Sequence, residues 1–272
     1  MKTDKNFDYI DKNKINFLEN IFGSKFLYKK KIAPYGAHWI FFNENLNKKD
    51  LGLDGHPKRG KYIPLLKGYK RMFAGSNLVF KKKIYFEDKI KKITEIKPLL
   101  KKKSDNENIY FLNLANSFYR DNLEVLKEIQ TIAFVKNNHV SNSNKKKSKN
   151  INLKLIHKKN FRFNNIDLFR YSALTYNSHR IHYDLDYTTK VEGHKNLLVH
   201  GPLTATCVIN EINSFIKKDI SRYSFSLLKP IYVNEKITLK VYRSKLDKSV
   251  IIAKVLKEKN EIAFLSEIQF IS

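Results

Sequence analysis

The chain has 272 residues, of which 42% are hydrophobic and 13% aromatic. A chain of this length can bury the core of two ordinary domains or of one large one, and its hydrophobic content excludes disorder throughout. The formal net charge of +27 attracts polyanionic ligands over a distance, although solvated lysine surface is the simpler explanation. The lysines are spread along the whole chain without a nucleic-acid-binding motif, so we expect no specific nucleic-acid partner.

Membrane segments and disulfides are not expected. No stretch approaches the roughly eighteen uninterrupted apolar residues of a membrane helix, and residues 1–5 lead into no apolar signal core. The single cysteine, Cys207, excludes an internal disulfide and a cysteine-cluster metal site, and we expect it to serve packing. The sequence therefore predicts a cytoplasmic protein, or one of the mitochondrial matrix in a eukaryote, without a membrane partner.

Two stretches of the chain repeat one pattern. Residues 84–90 read Ile-Tyr-Phe-Glu-Asp-Lys-Ile, and residues 231–237 read Ile-Tyr-Val-Asn-Glu-Lys-Ile. Each is preceded by an apolar, strand-like segment and followed later by Glu-Ile-Gln, at 128–130 and 267–269. Because the order of these segments is shared, the sequence predicts two copies of one α+β unit.

A polar segment separates the two copies. Residues 138–152 are lysine-rich and have no hydrophobic period, which is typical of a linker. The linker divides the chain into an N-terminal unit, residues 1–137, and a C-terminal unit, residues 153–272. Only the second unit carries the polar cluster described below, so we expect it to be catalytic and the first unit to be a non-catalytic support.

The second unit predicts two helices followed by four strands. Apolar spacing predicts a short helix over 166–176, and Pro202 at the first helical position starts a longer, largely apolar helix at Gly201. Stretches rich in β-branched and aromatic residues predict strands at 222–228, 235–243, 249–257 and 261–271. This is the order of a hotdog unit. Two fused units predict an α+β double hotdog, in which each antiparallel sheet wraps around a central helix.

Two neighbouring motifs of the second unit carry the candidate chemistry. Residues 177–184 read Asn-Ser-His-Arg-Ile-His-Tyr-Asp, and polar groups beside core residues are costly to bury unless they are paired or used. Residues 199–203 read Val-His-Gly-Pro-Leu. Backbone amides in the first turn of a helix have no hydrogen-bond partner within the helix. The helix dipole also favours negative charge at this end. We expect the amides of Gly201 and Leu203 to donate to the oxyanion that forms when a thioester becomes an enolate.

These motifs resemble the MaoC-like, or type 2 enoyl-CoA hydratase, family, whose Gly-Asp-x-Asn-Pro-x-His-x-Asp motif is followed by a His-Gly pair opening the central helix. His182, Asp184, His200 and Gly201 fall on matching positions. A sub-branch with Phe-Asn-x-His-Arg-Ile-His-Tyr-Asp and Val-His-Gly-Pro-Leu is more similar still, with Tyr176 here in place of its phenylalanine. It contains the mesaconyl-C4-CoA (itaconyl-CoA) hydratases and the fungal mitochondrial 3-hydroxyacyl-thioester dehydratases.

The first half is similar to the N-terminal unit of the same sub-branch. The similar segments are His38-Trp39, residues 51–57 (Leu-Gly-Leu-Asp-Gly-His-Pro) and residues 71–75 (Arg-Met-Phe-Ala-Gly). The resemblance therefore covers most of the chain. It leads us to expect that His38, Trp39 and Arg71 line or cover the acyl pocket, with plain packing as the alternative.

The roles of the site residues follow from the resemblance and from one departure. The general-base aspartate of the wider family is replaced by Asn177, which cannot take a proton. By hypothesis, His182 is the general acid and base, Asn177 orients the water, and Asp184 fixes the histidine or the local turn. An equally weighted alternative makes Asp184 the N-cap of a helix over 185–191.

The remaining polar residues leave alternatives open. His179 and Arg180 are expected to bind substrate or to pair with loop carbonyls, and Arg180 could instead hold a substrate carboxylate. His179, His182, Asp184 and His200 could be drawn as a zinc site, but nothing else in the chain demands one. We therefore expect no metal and no cofactor, with coenzyme A entering as part of the substrate.

The resemblance implies a lyase that adds or removes water across a carbon-carbon double bond conjugated to a CoA thioester. The first candidate reaction is hydration of mesaconyl-C4-CoA or itaconyl-CoA to citramalyl-CoA. The alternatives are a (3R)-hydroxyacyl-thioester dehydratase of fatty-acid synthesis and, from another class, a non-catalytic basic binding module. The partner is an acyl-CoA substrate, and the assembly is expected to be a monomeric pseudo-dimer or a homodimer.

Overall fold

A computed structural model describes residues 3–23, 31–60, 63–104, 107–136 and 153–271. The predicted linker, 138–152, lies outside the described residues, so the boundaries of the two units stay predictions. The helices and strands are, in chain order, β1 (Thr3–Tyr9), α1 (Lys12–Phe22), β2 (Tyr69–Phe80), β3 (Lys89–Ile96), β4 (Leu100–Ser104), β5 (Glu107–Arg120), β6 (Leu123–Lys136), β7 (Leu153–Phe161), α2 (Asn165–Leu174), α3 (Gly201–Ile216), β8 (Ile220–Leu227), β9 (Ile237–Ser244), β10 (Val250–Leu256) and β11 (Ile262–Phe270).

All of these strands belong to one antiparallel sheet. Its order is β1-β3-β5-β6-β2-β8-β11-β10-β9-β7, with β4 added beside β5. The order reads the same from both ends when β1, β2, β3, β5 and β6 are matched with β7, β8, β9, β10 and β11. The two units meet where β2 pairs with β8. The chain is therefore an α+β double hotdog, as predicted.

The sequence repeat corresponds to a repeated turn. Residues 84–90 and 231–237 each enter a strand through a turn in which a tyrosine amide donates to a carboxylate three residues later. The fourth residue of each has a positive φ, 67° at Glu87 and 62° at Asn234. The predicted duplication is thus confirmed down to individual hydrogen bonds.

The central helix distinguishes the two units. In the second unit, α3 has 16 residues, half of them buried, and the strands β8 to β11 wrap around it. In the first unit, the corresponding position holds a single 3-10 turn, Ala37–Ile40. The expected central helix of this unit is therefore reduced to one turn within the described residues. Gly36, directly before this turn, has a φ of 85°, which lies outside the helical range.

The elements predicted for the second unit are all present. The predicted helix at 166–176 is α2, the helix predicted to start at Gly201 is α3, and the four predicted strands are β8 to β11, with ends shifted by one or two residues. Cys207 packs against the main core, and burial raises the pKa of its thiol to about 12, in line with the packing role. Among the described residues, no helix combines the length and the apolar character needed to cross a membrane.

Candidate active site

The site lies in a cleft where the two units separate. Strand β2 pairs with β8 only from Gly75 to Val79, and a Cβ on Gly75 would lie 2.1 Å from the carbonyl oxygen of Phe225. Glycine therefore allows the close approach that joins the sheets. Beyond this contact a cleft of about 2110 Å³ opens between β2, the start of α3 and the loop 177–184.

The loop 177–184 is held by its own polar groups. It follows α2 and is entered through Tyr176, whose φ is 51°. The Asn177 side-chain oxygen accepts the amide of His179 at 3.0 Å, and the next residues form the 3-10 turn Arg180–His182. Asn177, His179 and His182 all line the cleft. The structure thus brings together three of the predicted site residues.

His182 is placed as a neutral base. Its ring is buried, and its Nδ1 atom lies 2.8 Å from the carbonyl oxygen of Leu198. Since a carbonyl only accepts, Nδ1 carries the proton and Nε2 keeps a lone pair. Burial lowers the pKa of His182 to about 4, against the opposing effect of the Leu198 hydrogen bond. The imidazole is therefore uncharged at neutral pH and ready to accept a proton.

His200 supports His182 from the side. The two rings stack, with centroids 3.6 Å apart and planes inclined by 18°. The Nε2 atom of His200 lies 2.9 Å from the Ser172 hydroxyl, while its buried Nδ1 has no hydrogen-bond partner among the described residues. Burial is the main cause that holds the pKa of His200 well below its usual value, and the neighbouring His182 lowers it further. The pair of rings is consequently neutral.

The start of α3 forms the next part of the cleft wall. The amides of Gly201 and Leu203 lie in the first turn, where an α-helix supplies no acceptors for them. A Cβ on Gly201 would lie 2.5 Å from Leu227 Cδ1 and 3.0 Å from Phe73 Cδ1. Glycine is thus required by side-chain packing from both units as well as for ligand approach. The side chain of Leu203 is fully buried, so its possible contribution is limited to the backbone amide.

Asp184 and Arg180 form a structural pair. The Asp184 Oδ2 atom accepts Arg180 Nε at 2.9 Å and Nη2 at 2.7 Å, and Oδ1 accepts the Tyr187 amide at 3.0 Å. These hydrogen bonds lower the pKa of Asp184, and the one from the Tyr187 amide has the largest effect. Asp184 therefore caps the helical turn that includes Tyr187–Val191, as the capping alternative predicted. A direct catalytic role for Asp184 stays a prediction.

The guanidinium of Arg180 is already occupied. Besides Asp184, it donates from Nη1 to the carbonyl oxygen of Leu53 at 3.1 Å, and it lies 4.1 Å above the ring of Tyr187. Arg180 is also absent from the residues that line the cleft. The structure therefore favours the structural role, and the expectation that Arg180 could hold a substrate carboxylate finds no support in these contacts.

A loop of the first unit clamps the catalytic loop. The Ser178 hydroxyl donates to the carbonyl oxygen of Gly55 at 2.5 Å. The backbone amide of Arg180 donates to the carbonyl oxygen of Asp54 at 2.9 Å. Gly55 has a φ of 82°, and a Cβ there would lie 1.9 Å from the carbonyl oxygen of Ser178. The sequence showed this loop only as part of a resemblance. Its role as a clamp was missed, although the pair of glycines around Asp54 marks a tight turn.

The same loop brings a second histidine to His179. The rings of His56 and His179 lie 3.8 Å apart, and together with Asp54 they place three potential metal ligands within 4.8 Å of one another. This set differs from the one drawn from the sequence. Burial lowers the pKa of both histidines, and the positive charge of Arg71 lowers them further. Of these surroundings, the positive charge of Arg71 is the part that disfavours a cation at this set.

The predicted pocket wall of the first unit is in place. His38, Trp39 and Arg71 all line the cleft. Trp39 Nε1 donates to Glu128 Oε1 at 2.9 Å, and His38 Nε2 lies 3.6 Å from Glu128 Oε2. Burial alone would raise the pKa of Glu128, but the polar groups around it, His38 first among them, lower it to about 2. Glu128 entered the sequence argument only as part of the repeat.

Comparison with known families decides the identity. The family of hydroxyacyl-thioester dehydratases type 2 matches residues 36–233, well over half of the chain. The chain belongs to this family. It is therefore an enzyme of the hydro-lyase class. It is also 29% identical over 198 residues to the mesaconyl-C4-CoA hydratase of Chloroflexus aurantiacus, a match covering 72% of this chain and 69% of that protein.

Solved structures share the fold at low sequence identity. HtdX of Mycobacterium tuberculosis superposes with a TM-score of 0.70 at 14% identity, over 99% of this chain and all of that one. A second Mycobacterium tuberculosis protein, itself a double hotdog, superposes with a TM-score of 0.63 at 10% identity, over 99% of this chain and 95% of that one. At such identities the likeness establishes the double hotdog fold alone.

Proposed function

We propose that this hydro-lyase adds water to short dicarboxylic enoyl-CoA thioesters, with the hydration of mesaconyl-C4-CoA or itaconyl-CoA to citramalyl-CoA as the first candidate reaction. The observation that carries the proposal is the neutral, buried His182 beside the first turn of α3, in a cleft that also holds cationic side chains. The relative from Chloroflexus aurantiacus supports this choice of substrate.

The proposed mechanism needs one proton carrier. In the hydration of mesaconyl-C4-CoA, whose double bond is conjugated to the thioester, Nε2 of His182 takes a proton from water as the water oxygen bonds to the β-carbon. The electron pair of the double bond shifts towards the thioester carbonyl, and the developing oxyanion accepts a hydrogen bond from the Gly201 amide. The protonated His182 then returns its proton to the α-carbon. Asn177 orients the water, because its side-chain amide can donate but cannot take the proton.

Coenzyme A enters as part of the substrate. Its phosphates carry negative charge, and the cleft is lined by the lysines 67, 70, 92 and 136. Positive side chains at the mouth of a cleft raise the local concentration of an anionic ligand. The proposal requires neither a metal nor a separate cofactor, since water, one imidazole and the backbone amides account for each bond that forms or breaks.

A second candidate function is dehydration of 3-hydroxyacyl thioesters in fatty-acid synthesis. The family match favours it, and so does the apolar part of the cleft wall, which includes Phe41, Phe42, Phe111 and Phe118. A long hydrocarbon chain would gain free energy by burial against such a wall. The two candidates differ in the acyl chain and share the same proton transfer.

A panel of thioesters tests the proposal. Purified enzyme is mixed with mesaconyl-C4-CoA, crotonyl-CoA and a long trans-2-enoyl-CoA, and the loss of enoyl-thioester absorbance is followed. We expect hydration of the dicarboxylic substrate. His182→Ala should lower turnover by about 10²- to 10⁴-fold because the general acid and base is removed, and Asn177→Ala should lower it less.

The control is His157→Ala. His157 of β7 pairs with Glu211 of α3 outside the cleft, so the substitution should leave turnover unchanged. Activity confined to long mono-acyl chains would replace the first candidate by the dehydratase. Near-normal turnover of a folded His182→Ala variant would remove His182 from the mechanism.

A further inference from the structure

An unpaired arginine of the first unit lies inside the cleft. Arg71 stands on β2, opposite Phe134 of β6, in the part of the strand that has separated from β8. Among the described residues it lines the cleft without forming a hydrogen bond or an ion pair. Arg59, the other arginine of the cleft wall, donates to the carbonyl oxygen of Tyr69 at 3.0 Å. Arg71 is therefore a positive charge without a protein partner.

Burying such a charge is unfavourable. Removal from water lowers the pKa of Arg71, and Asp54, the carboxylate with the strongest opposing effect, stays beyond ion-pair distance. Arg71 is half-buried, so part of the hydration of its guanidinium is lost, and an anionic group of a ligand would offset that loss. Proteins retain such groups at binding and catalytic sites. The position is thus one that an anionic group of a ligand would complete.

The neighbours of Arg71 suit a carboxylate. His56 and His179 lie face to face at 3.8 Å, and both have their pKa lowered by burial and by the charge of Arg71. At neutral pH each ring is uncharged and still carries one N–H donor. A guanidinium matches the two oxygens of a carboxylate in a fork geometry. Together these side chains offer charge and hydrogen bonds to one carboxylate.

The position of Arg71 and His179 relative to His182 selects a particular kind of acyl chain. His179 lies between the Arg71 region and the catalytic base, with its ring 5.5 Å from that of His182. In a mesaconyl-type chain the free carboxylate is attached to the β-carbon, the carbon that receives water, through a single bond of about 1.5 Å. A carboxylate held beside His179 would therefore place the β-carbon within reach of a water on His182.

We infer that Arg71, assisted by His56 and His179, binds a free carboxylate on the β-carbon of the acyl chain, so that the first unit supplies the substrate specificity of the site in the second. This inference rests on the proposed hydration and assigns the group that selects dicarboxylic substrates. A hydrocarbon chain in the same place would leave Arg71 desolvated and unpaired. The site would therefore discriminate against such chains as well as favour the carboxylate.

The test uses two saturated thioesters that cannot be hydrated. Methylsuccinyl-CoA with the carboxylate on its β-carbon is compared with isovaleryl-CoA, which carries a methyl group in that place. Calorimetric Kd values are measured for the native enzyme, Arg71→Gln and Arg71→Lys. We expect the native enzyme to prefer the carboxylated ligand by about tenfold or more, as one charge-assisted pair predicts. Arg71→Gln should abolish the preference, because it weakens binding of the carboxylated ligand and removes the unpaired charge that opposes isovaleryl-CoA binding.

The remaining variants separate this inference from other effects. Arg71→Lys should restore part of the preference, since it keeps the charge and loses the fork geometry. Arg243→Gln, an exposed position on β9, removes the same charge from the surface and should preserve the preference. If the native enzyme hydrates enoyl thioesters and folded Arg71→Gln still prefers the carboxylated ligand, the inference is overturned and the proposed hydration stands. Failure to hydrate any thioester would instead count against the proposed function.

Discussion

The two units share one architecture and differ in one element. Both have the same strand order and the same turn before their third strand. In both, a backbone amide, of Ala33 or Val199, donates to the carbonyl oxygen of the isoleucine that opens the repeated turn. Counting forward from these amides, Pro34 stands where the second unit has His200. The second unit continues into the 16 residues of α3, and the first into a turn of four residues.

This difference shows how a duplicated fold can divide its work. The second unit keeps the helix start and the neutral histidines, which are the groups of the proposed chemistry. The first unit has lost that helix, and its loop around Gly55 crosses to hold the catalytic loop. Its strand β2 adds Arg71 to the cleft wall. A unit without the proposed chemistry of its own thus completes the site of its neighbour.

The clamp between the units is the contact whose loss should have the largest effect. Gly55→Ala places a methyl group against the carbonyl oxygen of Ser178, only 1.9 Å from an ideal Cβ. The loops must separate, and displacing a catalytic group by about 1 Å can cost about 10²-fold in rate. We therefore expect turnover of the Gly55→Ala variant to fall by about 100-fold, measured with the thioester found in the panel.

The matched control is Gly23→Ala at the end of α1. Gly23 also has a positive φ, 61°, but no atom of the described residues lies within 4 Å of its Cβ position. This variant should lose about 1 kcal/mol of stability from backbone strain and keep its turnover. Equal turnover in the two folded variants would mean that the first unit does not position the catalytic loop.

Acid should weaken the fold through His182 of the second unit before it acts through Glu128 of the first. Burial lowers the pKa of His182 from 6.5 to about 4, so the neutral histidine stabilises the fold above pH 6.5, and this contribution is lost as the pH falls towards 4. Glu128 of the first unit, with its pKa lowered from 4.5 to about 2, loses its contribution only below pH 4.5. Between pH 7 and pH 5, His182 alone should cost roughly 2 kcal/mol of unfolding free energy.

Urea unfolding at the two pH values measures this loss. His182→Gln, which cannot be protonated, should lose roughly 2 kcal/mol less than the native protein over the same interval. His157→Gln, with its imidazole outside the cleft, serves as the comparison. If His182→Gln and the native protein lose equal stability between pH 7 and pH 5, the imidazole is not held neutral by burial.

The sequence predicted what is encoded locally and missed what depends on long-range contacts. The strands of the second unit, the start of α3 and the loop from 177 to 184 follow from periodicity and short motifs, because each is formed by neighbours in the chain. The clamp joins Ser178 to Gly55, which are 123 positions apart, and no periodicity reports such a contact. The buried role of Glu128 escaped for the same reason, since its partners come from three other segments, residues 38–39, Ser76 and Asn116.

The lost helix of the first unit is an intermediate case. The duplication predicted a second central helix, because repeats that share their strands are expected to share their core. The departure begins at Gly36, which corresponds to Pro202 of α3 and has a φ of 85°, outside the helical range. This glycine is a local signal against the helix that the repeat of the strands did not reveal.

The smallest expected effect concerns two aspartates that cap helices in the two units. Asp11 accepts the amides of Asn13 and Lys14 at the start of α1, and Asp184 accepts that of Tyr187. Asp11→Ala and Asp184→Ala should each lower the Tm by roughly 2–4 °C, as the loss of a cap does in a protein of this size.

Asp184→Asn separates capping from catalysis. The amide oxygen can still accept from Tyr187, while the charge that pairs with Arg180 is lost. If Asp184 only fixes the turn, turnover should change by less than about tenfold, whereas removal of a general acid or base costs about 10²- to 10⁴-fold. A fall of that larger size at an unchanged Tm would place the Asp184 carboxylate in the proton transfer. The second unit would then use two acid-base groups in place of His182 alone.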